Sequence, residues 1–213
     1  MNFIPDTLDQ YILDHSADEP ELLQKLNKET YQKVLLPRML SGHYQGRVLS
    51  ILSKLIKPTS ILEIGTYTGY ATLCLAEGLS EDGHIHTIDI KEELVDFQRK
   101  YFDLSGKGSQ IHQHLGEAIN ILPTLNATFD LVFIDADKSN YVNYFHLIID
   151  KMNKGGIILS DNVLWSGKVI EPLNPKDEDT KVLLAYNQLL KNDSRLETVM
   201  LPIRDGLTIS RVR

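Results

Sequence analysis

A short apolar run that ends in a carboxylate and then breaks at glycines constrains this chain more than any other feature. It reads Ile-Leu-Glu-Ile-Gly-Thr-Tyr-Thr-Gly over residues 61–69, and a helical stretch follows from Tyr70 to Gly78. This order predicts a strand, a tight loop and a helix, because glycine permits the positive φ angles and close backbone approach that such a loop needs. The free N–H groups at the start of the helix would face whatever lies above the loop, so we expect a small ligand there.

The spacing of the two glycines narrows the choice of ligand. Three larger residues fill the interval between Gly65 and Gly69, which disfavours the G-x-G-x-x-G loop that binds a dinucleotide pyrophosphate. Glu63 offers a carboxylate just before the loop, and Asp89 ends the next predicted strand at the interval where an acid binds ribose hydroxyls. A ribose-bearing cofactor without phosphates, S-adenosylmethionine, fits this pattern. A simple tight turn between strand and helix is the alternative.

Composition and charge limit the other partners of the chain. Its 213 residues are 42% hydrophobic and 24% charged, which is typical of one sizeable α/β domain. The formal net charge of −7 and the lack of a dense Lys/Arg stripe argue against nucleic acid. No apolar run approaches the roughly 20 residues that span a bilayer, and the N-terminus does not resemble a signal peptide, so we expect a cytoplasmic protein with no membrane partner.

The order of the remaining segments predicts the architecture. Residues 1–57 carry helical patterns, and from residue 58 to Ser160 strand-like and helix-like stretches alternate, which predicts a parallel sheet with helices on both faces. The last two apolar stretches, residues 196–201 and 207–212, are joined across an Asp-Gly pair that is typical of a hairpin turn. We therefore predict one domain, with N-terminal helices over 1–57, a core over 58–213 and an antiparallel element at one edge of the sheet.

Two predicted strand ends carry oxygen-bearing side chains. Asp135 follows the buried strand over residues 129–134, and Asp161 and Asn162 follow the strand over residues 156–160. If these strands are neighbours, the three side chains converge at the edge where open α/β sheets bind ligands. Carboxylate and amide oxygens suit a hard cation such as Mg²⁺ or Ca²⁺, whereas zinc would require His or Cys. Turn formation is the alternative role of each residue taken alone.

Three further side chains are candidates for the same site. Lys138 comes three residues after Asp135, and a lysine beside a metal cation can lose its proton and act as a base, although most lysines are solvated. Trp165 follows the predicted metal loop, so it could form the wall for an aromatic substrate, with core packing as the alternative. His43 lies ahead of the central strand and is a candidate for lining the site.

Four segments of the chain together resemble the cation-dependent O-methyltransferases of the caffeoyl-CoA and catechol type. They read Glu-Ile-Gly-Thr-Tyr-Thr-Gly-Tyr from Glu63, Phe-Ile-Asp-Ala-Asp-Lys-Ser-Asn-Tyr from Phe133, Asp-Asn-Val-Leu-Trp from Asp161 and Leu-Pro-Ile-Arg-Asp-Gly-Leu from Leu201. The resemblance implies a Rossmann-like class I methyltransferase domain with a mostly parallel seven-stranded sheet. It also implies a homodimer that methylates one hydroxyl of a small vicinal aromatic diol with S-adenosylmethionine and Mg²⁺, or Ca²⁺ or Mn²⁺ in its place.

The resemblance also implies a set of site residues. The metal ligands would be Asp135, Asp161 and Asn162, and Lys138 would be the catalytic base. The cofactor contacts would be Met39, Ser41, Glu63, Gly65, Thr66, Tyr67, Gly69, Ala71, Asp89, Ile90, Gly116, Ala118 and Asp135. Tyr44 stands where bacterial relatives often have an acid, so the identity of the substrate stays open. An NAD(P)-dependent reductase and a non-enzymatic adenosine-binding module are the alternative functions.

Overall fold

The computed structural model, which describes residues 4–213, has one seven-stranded sheet at its centre. The strands are β1 Ser60–Ile64, β2 His84–Asp89, β3 Ile111–Leu115, β4 Phe129–Ile134, β5 Met152–Asp161, β6 Leu196–Leu201 and β7 Leu207–Val212. Their order across the sheet is β3-β2-β1-β4-β5-β7-β6. The pairings among the first five strands are parallel, and β7 runs antiparallel to β5 and β6. The predicted parallel sheet with a C-terminal antiparallel hairpin is therefore confirmed.

Helices surround this sheet. The α-helices are α1 Asp6–Asp14, α2 Glu21–Lys33, α3 Gly42–Ile56, α4 Tyr70–Ala76, α5 Val95–Leu104, α6 Ala118–Ile121, α7 Tyr141–Ile148 and α8 Glu178–Asn192. Short 3₁₀ segments lie at Pro37–Met39, Glu92–Leu94, Gly108–Gln110, Leu122–Thr124, Lys138–Asn140, Ile149–Lys151 and Trp165–Ile170. Over residues 4–213 none of the helices combines the length and the apolar character needed to cross a membrane.

Several helices are shorter than their apolar patterns predict. The helix after the glycine loop ends at Ala76. The apolar spacing over residues 117–125 likewise predicts one continuous helix, but the structure has only α6 there, followed by a 3₁₀ turn. Pro123 explains this early end, because proline has no N–H to donate within a helix and its ring clashes with the preceding turn. Apolar periodicity thus located these helices but overestimated their length.

Two separate cores lie on the two faces of the sheet. Ile61 and Phe133 are fully buried against the face that α3 and α4 cover, whereas Leu62 and Val132 are fully buried against the face that α7 and α8 cover. Successive residues of a strand point to opposite faces, so a strand buried on both sides has to be apolar throughout. This requirement explains the continuous apolar runs of β1 and β4.

Helix α3 packs against α4 beside the central strand. Arg47 of α3 forms a bidentate ion pair with Glu77, with nitrogen–oxygen distances of 2.6 and 3.1 Å, and the Ser53 hydroxyl donates to the Leu75 carbonyl at 2.6 Å. Gly78 lies where the two segments come closest: a Cβ atom there would lie 2.1 Å from the carbonyl carbon of Ser53. The absence of a side chain at Gly78 is therefore what permits this close packing.

We expect Gly78→Ala to lower the free energy of unfolding by roughly 3 kcal/mol, because the added methyl group collides with backbone that cannot move without displacing α3. Urea unfolding monitored by circular dichroism would measure the change. Gly106→Ala is the matched control: its φ is +73° and no atom lies within 4 Å of the added Cβ, so only the positive φ should cost stability, roughly 1 kcal/mol. Equal losses in the two variants would contradict the packing explanation.

Candidate active site

A cavity of about 780 Å³ lies at the carboxyl ends of the parallel strands. Ile64, Asp89 and Asp161, which end β1, β2 and β5, all line it, as does Asp135, which follows β4. Parallel strands bring their carboxyl ends to one edge of the sheet, so side chains far apart in sequence meet there. Residues 38–41 border the cavity, as do residues 162, 165 and 166 and the turn at 204–205.

The glycine loop forms the floor of this cavity, as the sequence predicts. Gly65 has a φ of +101°, and a Cβ atom there would lie 1.9 Å from the carbonyl oxygen of Asp135. Gly69 has a φ of +87°, and its Cβ would lie 2.5 Å from the ring of Phe102. Both positions require glycine, since a side chain would clash and the left-handed conformation is unfavourable for other residues.

Asp89 holds this loop from the side. Its Oδ2 atom accepts a hydrogen bond from the Tyr67 amide at 2.6 Å, and its Oδ1 atom accepts one from the Lys91 amide at 3.0 Å. The carboxylate thereby has a fixed orientation while it lines the cavity. The remaining lone pairs of its two oxygens can accept hydrogen bonds from a ligand.

Glu63 lies below the loop and does not line the cavity. The structure therefore does not place it where the predicted cofactor contact would require. Its side chain is fully buried, and Oε2 accepts hydrogen bonds from the hydroxyls of Thr72 and Thr87. The Thr87 hydroxyl lies 2.5 Å from that of Thr66, within the loop. Burial raises the pKa of Glu63 to about 8 despite these bonds, and Oε1 has no hydrogen-bond partner. The carboxyl group is therefore mainly protonated at neutral pH.

Most of the other predicted site residues do line the cavity. The predicted cofactor contacts that line it are Met39, Ser41, Gly65, Thr66, Tyr67, Ala71, Asp89, Ile90, Gly116, Ala118 and Asp135, and Lys138, Asp161, Asn162 and Trp165 do so as well. Gly69 and His43 do not. The ring of His43 turns toward the N-terminal segment, with Nε2 2.7 Å from the carbonyl oxygen of Ala17. The prediction that His43 lines the site is therefore wrong.

Two carboxylates and an amide meet at the ends of β4 and β5, as the strand order predicts. Asp161 is almost fully buried, and its carboxylate accepts hydrogen bonds from the backbone N–H of Asn162 at 2.8 Å and from Gln45 Nε2 at 2.6 Å. Burial, and then the charge of Asp135, raises the pKa of Asp161 above its ordinary value. Among residues 4–213 no group of three His, Cys, Asp or Glu side chains could hold a metal ion, so a metal here would need the amide oxygen of Asn162 as well.

Lys138 is buried beside these carboxylates, so the alternative of a solvated surface lysine is wrong. Its exposed fraction is 8%, and its Nζ atom lies 3.2 Å from Asp135 Oδ1 and 2.8 Å from the hydroxyl oxygen of Tyr141. That hydroxyl in turn donates to the Asp161 carbonyl at 3.0 Å. The lysine also lies 6.0 Å from the ring centroid of Trp165. The amine of Lys138 is thus held between the acidic cluster and the aromatic ring of Trp165.

Comparison with known proteins places this site in context. The sequence profile of a family described as O-methyltransferase matches residues 13–213. The chain is 36% identical to the caffeoyl-CoA O-methyltransferase of Petroselinum crispum, over 97% of this chain and 90% of that protein. It resembles a Podospora anserina methyltransferase crystallised with SAH, at 30% identity and a TM-score of 0.88, over 98% of this chain and 94% of that one. It also resembles an O-methyltransferase from Bacillus cereus in complex with SAH, at 27% identity and a TM-score of 0.89, over 97% of each chain.

The raised pKa of Glu63 predicts a pH-dependent stability. In the unfolded chain the carboxyl group deprotonates near its ordinary pKa of 4.5, whereas in the folded chain it keeps its proton up to about pH 8. The free energy of unfolding should therefore fall as the pH rises through this interval, at up to about 1.4 kcal/mol per pH unit. Glu63→Gln, which mimics the protonated acid, should flatten this decline in urea unfolding. Glu93→Gln at an exposed position should keep it, and a Glu63→Gln curve parallel to wild type would refute the assignment.

Proposed function

The chain belongs to the O-methyltransferase family and takes its methyl group from S-adenosylmethionine, and from this premise we propose that it is a divalent-cation-dependent enzyme acting on a vicinal aromatic diol. The observation that carries the proposal is the convergence of two carboxylates, one carboxamide and one buried lysine on the wall of a single cavity. Family membership removes the reductase and the non-enzymatic module as alternatives.

We assign the floor of the cavity to the cofactor. The backbone of the loop from Gly65 to Gly69 permits close approach of a ligand, and Asp89 has free lone pairs for the two ribose hydroxyls. Six aspartates, Asp89, Asp135 and Asp161 among them, line the same cavity and outnumber its four lysine and arginine side chains. This acidic lining favours a donor that carries a positive sulfonium charge.

The residues present fit a hard divalent cation. Asp135, Asp161 and Asn162 offer only oxygen donors, which is the ligand type that Mg²⁺, Ca²⁺ and Mn²⁺ prefer. The buried carboxylate of Asp161 also faces the charge of Asp135, and a bound cation would relieve this repulsion. When bound, the cation would supply Lewis-acid charge neutralisation beside the reacting hydroxyl.

We assign proton removal to Lys138. In its neutral form, the amine takes the proton of one substrate hydroxyl, while Asp135 and Tyr141 hold Nζ in place. The resulting phenolate oxygen forms a bond to the sulfonium methyl carbon as the carbon–sulfur bond breaks, and the electron pair of that bond stays on sulfur. The products are a methyl ether and S-adenosylhomocysteine. Positioning of the two reactants accounts for much of the expected rate enhancement.

Trp165 supports the assignment of an aromatic substrate. It lines the cavity, and the segment that follows it exposes Ile170 and Leu173, with exposed fractions of 89% and 44%. An aromatic ring packs favourably against tryptophan. Because the similar plant proteins are named caffeoyl-CoA O-methyltransferases, we propose a catechol-like or caffeoyl-type diol. We also propose a homodimer, which the family resemblance implies, and a cytoplasmic location, which the sequence predicts.

Metal removal tests the proposed function directly. We expect EDTA to abolish methylation of a caffeate-type diol and added Mg²⁺ to restore it, whereas binding of S-adenosylmethionine, measured by calorimetry, should persist in EDTA. A mono-hydroxyl analogue should be a poor substrate, because it offers one oxygen where the diol offers two. Full activity in EDTA, or equal turnover of the two substrates, would contradict the cation-dependent mechanism.

Replacement of Lys138 tests the proton transfer. Lys138→Ala should lower kcat by roughly 10²–10⁴ with little effect on the affinity for S-adenosylmethionine, as expected for loss of a general base. Lys138→Arg should not restore activity, since guanidinium keeps its proton. Lys168→Ala is a matched control, because its Nζ atom also lies near the Trp165 ring, at 5.9 Å, but pairs with Asp177 at the surface. A wild-type kcat in Lys138→Ala across about pH 6 to 9 would rule out this role.

A further inference from the structure

A buried amide links the proposed metal ligand to a distant turn. We propose that Gln45, held by Arg204, is a positioning residue that fixes the carboxylate of Asp161 for cation binding. This inference rests on the proposed function, since it concerns the affinity of that site for a divalent cation. Neither Gln45 nor Arg204 is a predicted site residue, and the three positions are far apart in the chain.

Gln45 lies in the first turn of α3 and has an exposed fraction of only 1%. Its Nε2 atom donates to Asp161 Oδ2 at 2.6 Å, and its Oε1 atom accepts from Arg204 Nη1 at 3.1 Å. Both ends of the amide are therefore bonded to charged groups of opposite sign. Hydrogen bonds to charged groups are the strong ones in proteins, so this pair of bonds defines the orientation of the side chain.

The direction of the amide matters because a glutamine can rotate by half a turn with little change in shape. In the reversed orientation Oε1 would face the carboxylate of Asp161, and two acceptors would repel each other. Arg204 prevents this reversal, because a guanidinium has only donors and requires Oε1 on its side. The arginine thus decides which end of Gln45 meets Asp161.

The carboxylate of Asp161 is consequently held on both sides. Oδ1 accepts from the backbone N–H of Asn162 at 2.8 Å and Oδ2 accepts from Gln45, so rotation about the bond to the carboxyl carbon would break one of the two hydrogen bonds. Each oxygen keeps a lone pair, and Asp161 lines the cavity. Partners of this kind orient metal ligands, and their loss typically weakens metal binding 10- to 100-fold.

Arg204 also anchors the cavity wall. It lies in the connection between β6 and β7 with a φ of +48°, and the two hydrogens of Nη1 are shared among Gln45 Oε1, the Leu40 carbonyl at 3.0 Å and the Ser41 carbonyl. The same guanidinium therefore holds both the amide of Gln45 and the backbone beside the predicted cofactor contacts. We expect loss of Gln45 to affect the cation alone, and loss of Arg204 to affect the cation and S-adenosylmethionine.

Calorimetric titration of the full-length chain with Mn²⁺, in the presence of saturating S-adenosylmethionine, tests the inference. Gln45→Met keeps the size of the side chain and removes both hydrogen bonds, so the Kd for Mn²⁺ should rise about 10- to 100-fold while the Kd for S-adenosylmethionine stays at its wild-type value. Ser53→Ala is the control, because Ser53 is equally buried on α3 but donates to Leu75, away from the cavity. It should lower the Tm without changing the Kd for Mn²⁺.

A second variant separates positioning from a general loss of structure. If Arg204 acts on Asp161 through Gln45, Arg204→Met should weaken Mn²⁺ binding in the wild-type background but change it by less than about twofold in the Gln45→Met background. If Gln45→Met does not fold, Arg204→Met alone still tests whether the contact between Arg204 and Gln45 supports Mn²⁺ binding. Unchanged Mn²⁺ affinity in either single variant would overturn the inference, and so would additive losses in the double variant. A wild-type chain that binds no Mn²⁺ would instead overturn the proposed cation dependence.

Discussion

The close approach of Gly65 to Asp135 is the constraint on which the rest of the site depends. The two residues follow the neighbouring strands β1 and β4, and the Asp135 amide donates to the Ile64 carbonyl at 2.9 Å. A side chain at Gly65 would meet the Asp135 carbonyl oxygen at 1.9 Å, so the loop can cross the end of β4 only because it has none. The cofactor loop and a proposed metal ligand thereby share one backbone contact, and displacement of either would displace the other.

Beneath this contact, buried polar side chains form a hydrogen-bond network that supports the glycine loop. A protonated Glu63 can lie in the core because a neutral carboxyl group costs far less to bury than a charged one. Its hydrogen bonds to Thr72 and Thr87 continue to the loop through the hydroxyl of Thr66. Six aspartates, by contrast, line the cavity above the sheet, where cationic ligands can offset their charge.

The turn between β6 and β7 holds two segments of the cavity wall in place by hydrogen bonds. Arg204 bonds to the backbone at residues 40 and 41, and the neighbouring Asp205 accepts hydrogen bonds from the amides of Leu164 and Ser166. Strand β7 lies directly beside β5, so its first residue starts next to Asp161. An antiparallel strand in this position brings its preceding turn to the carboxyl edge, where a parallel strand would bring its following loop.

The sequence by itself determined the features that depend on local pattern and on strand direction. These are the glycine loop, the parallel sheet with its hairpin, and the meeting of Asp135 with Asp161, because parallel strands end at one edge whatever their side chains. Tertiary packing decided which way individual side chains point. His43 was expected at the site, yet it is Gln45 that reaches Asp161. Residues two positions apart on a helix differ in direction by about 200°, and only the docking of α3 selects which of them faces the site. The pairing of Gln45 with Arg204 spans 159 positions, a distance over which no local pattern carries information. Glu63 likewise points below the loop because the hydroxyls that bond to it come from α4 and β2, which meet only in the folded chain.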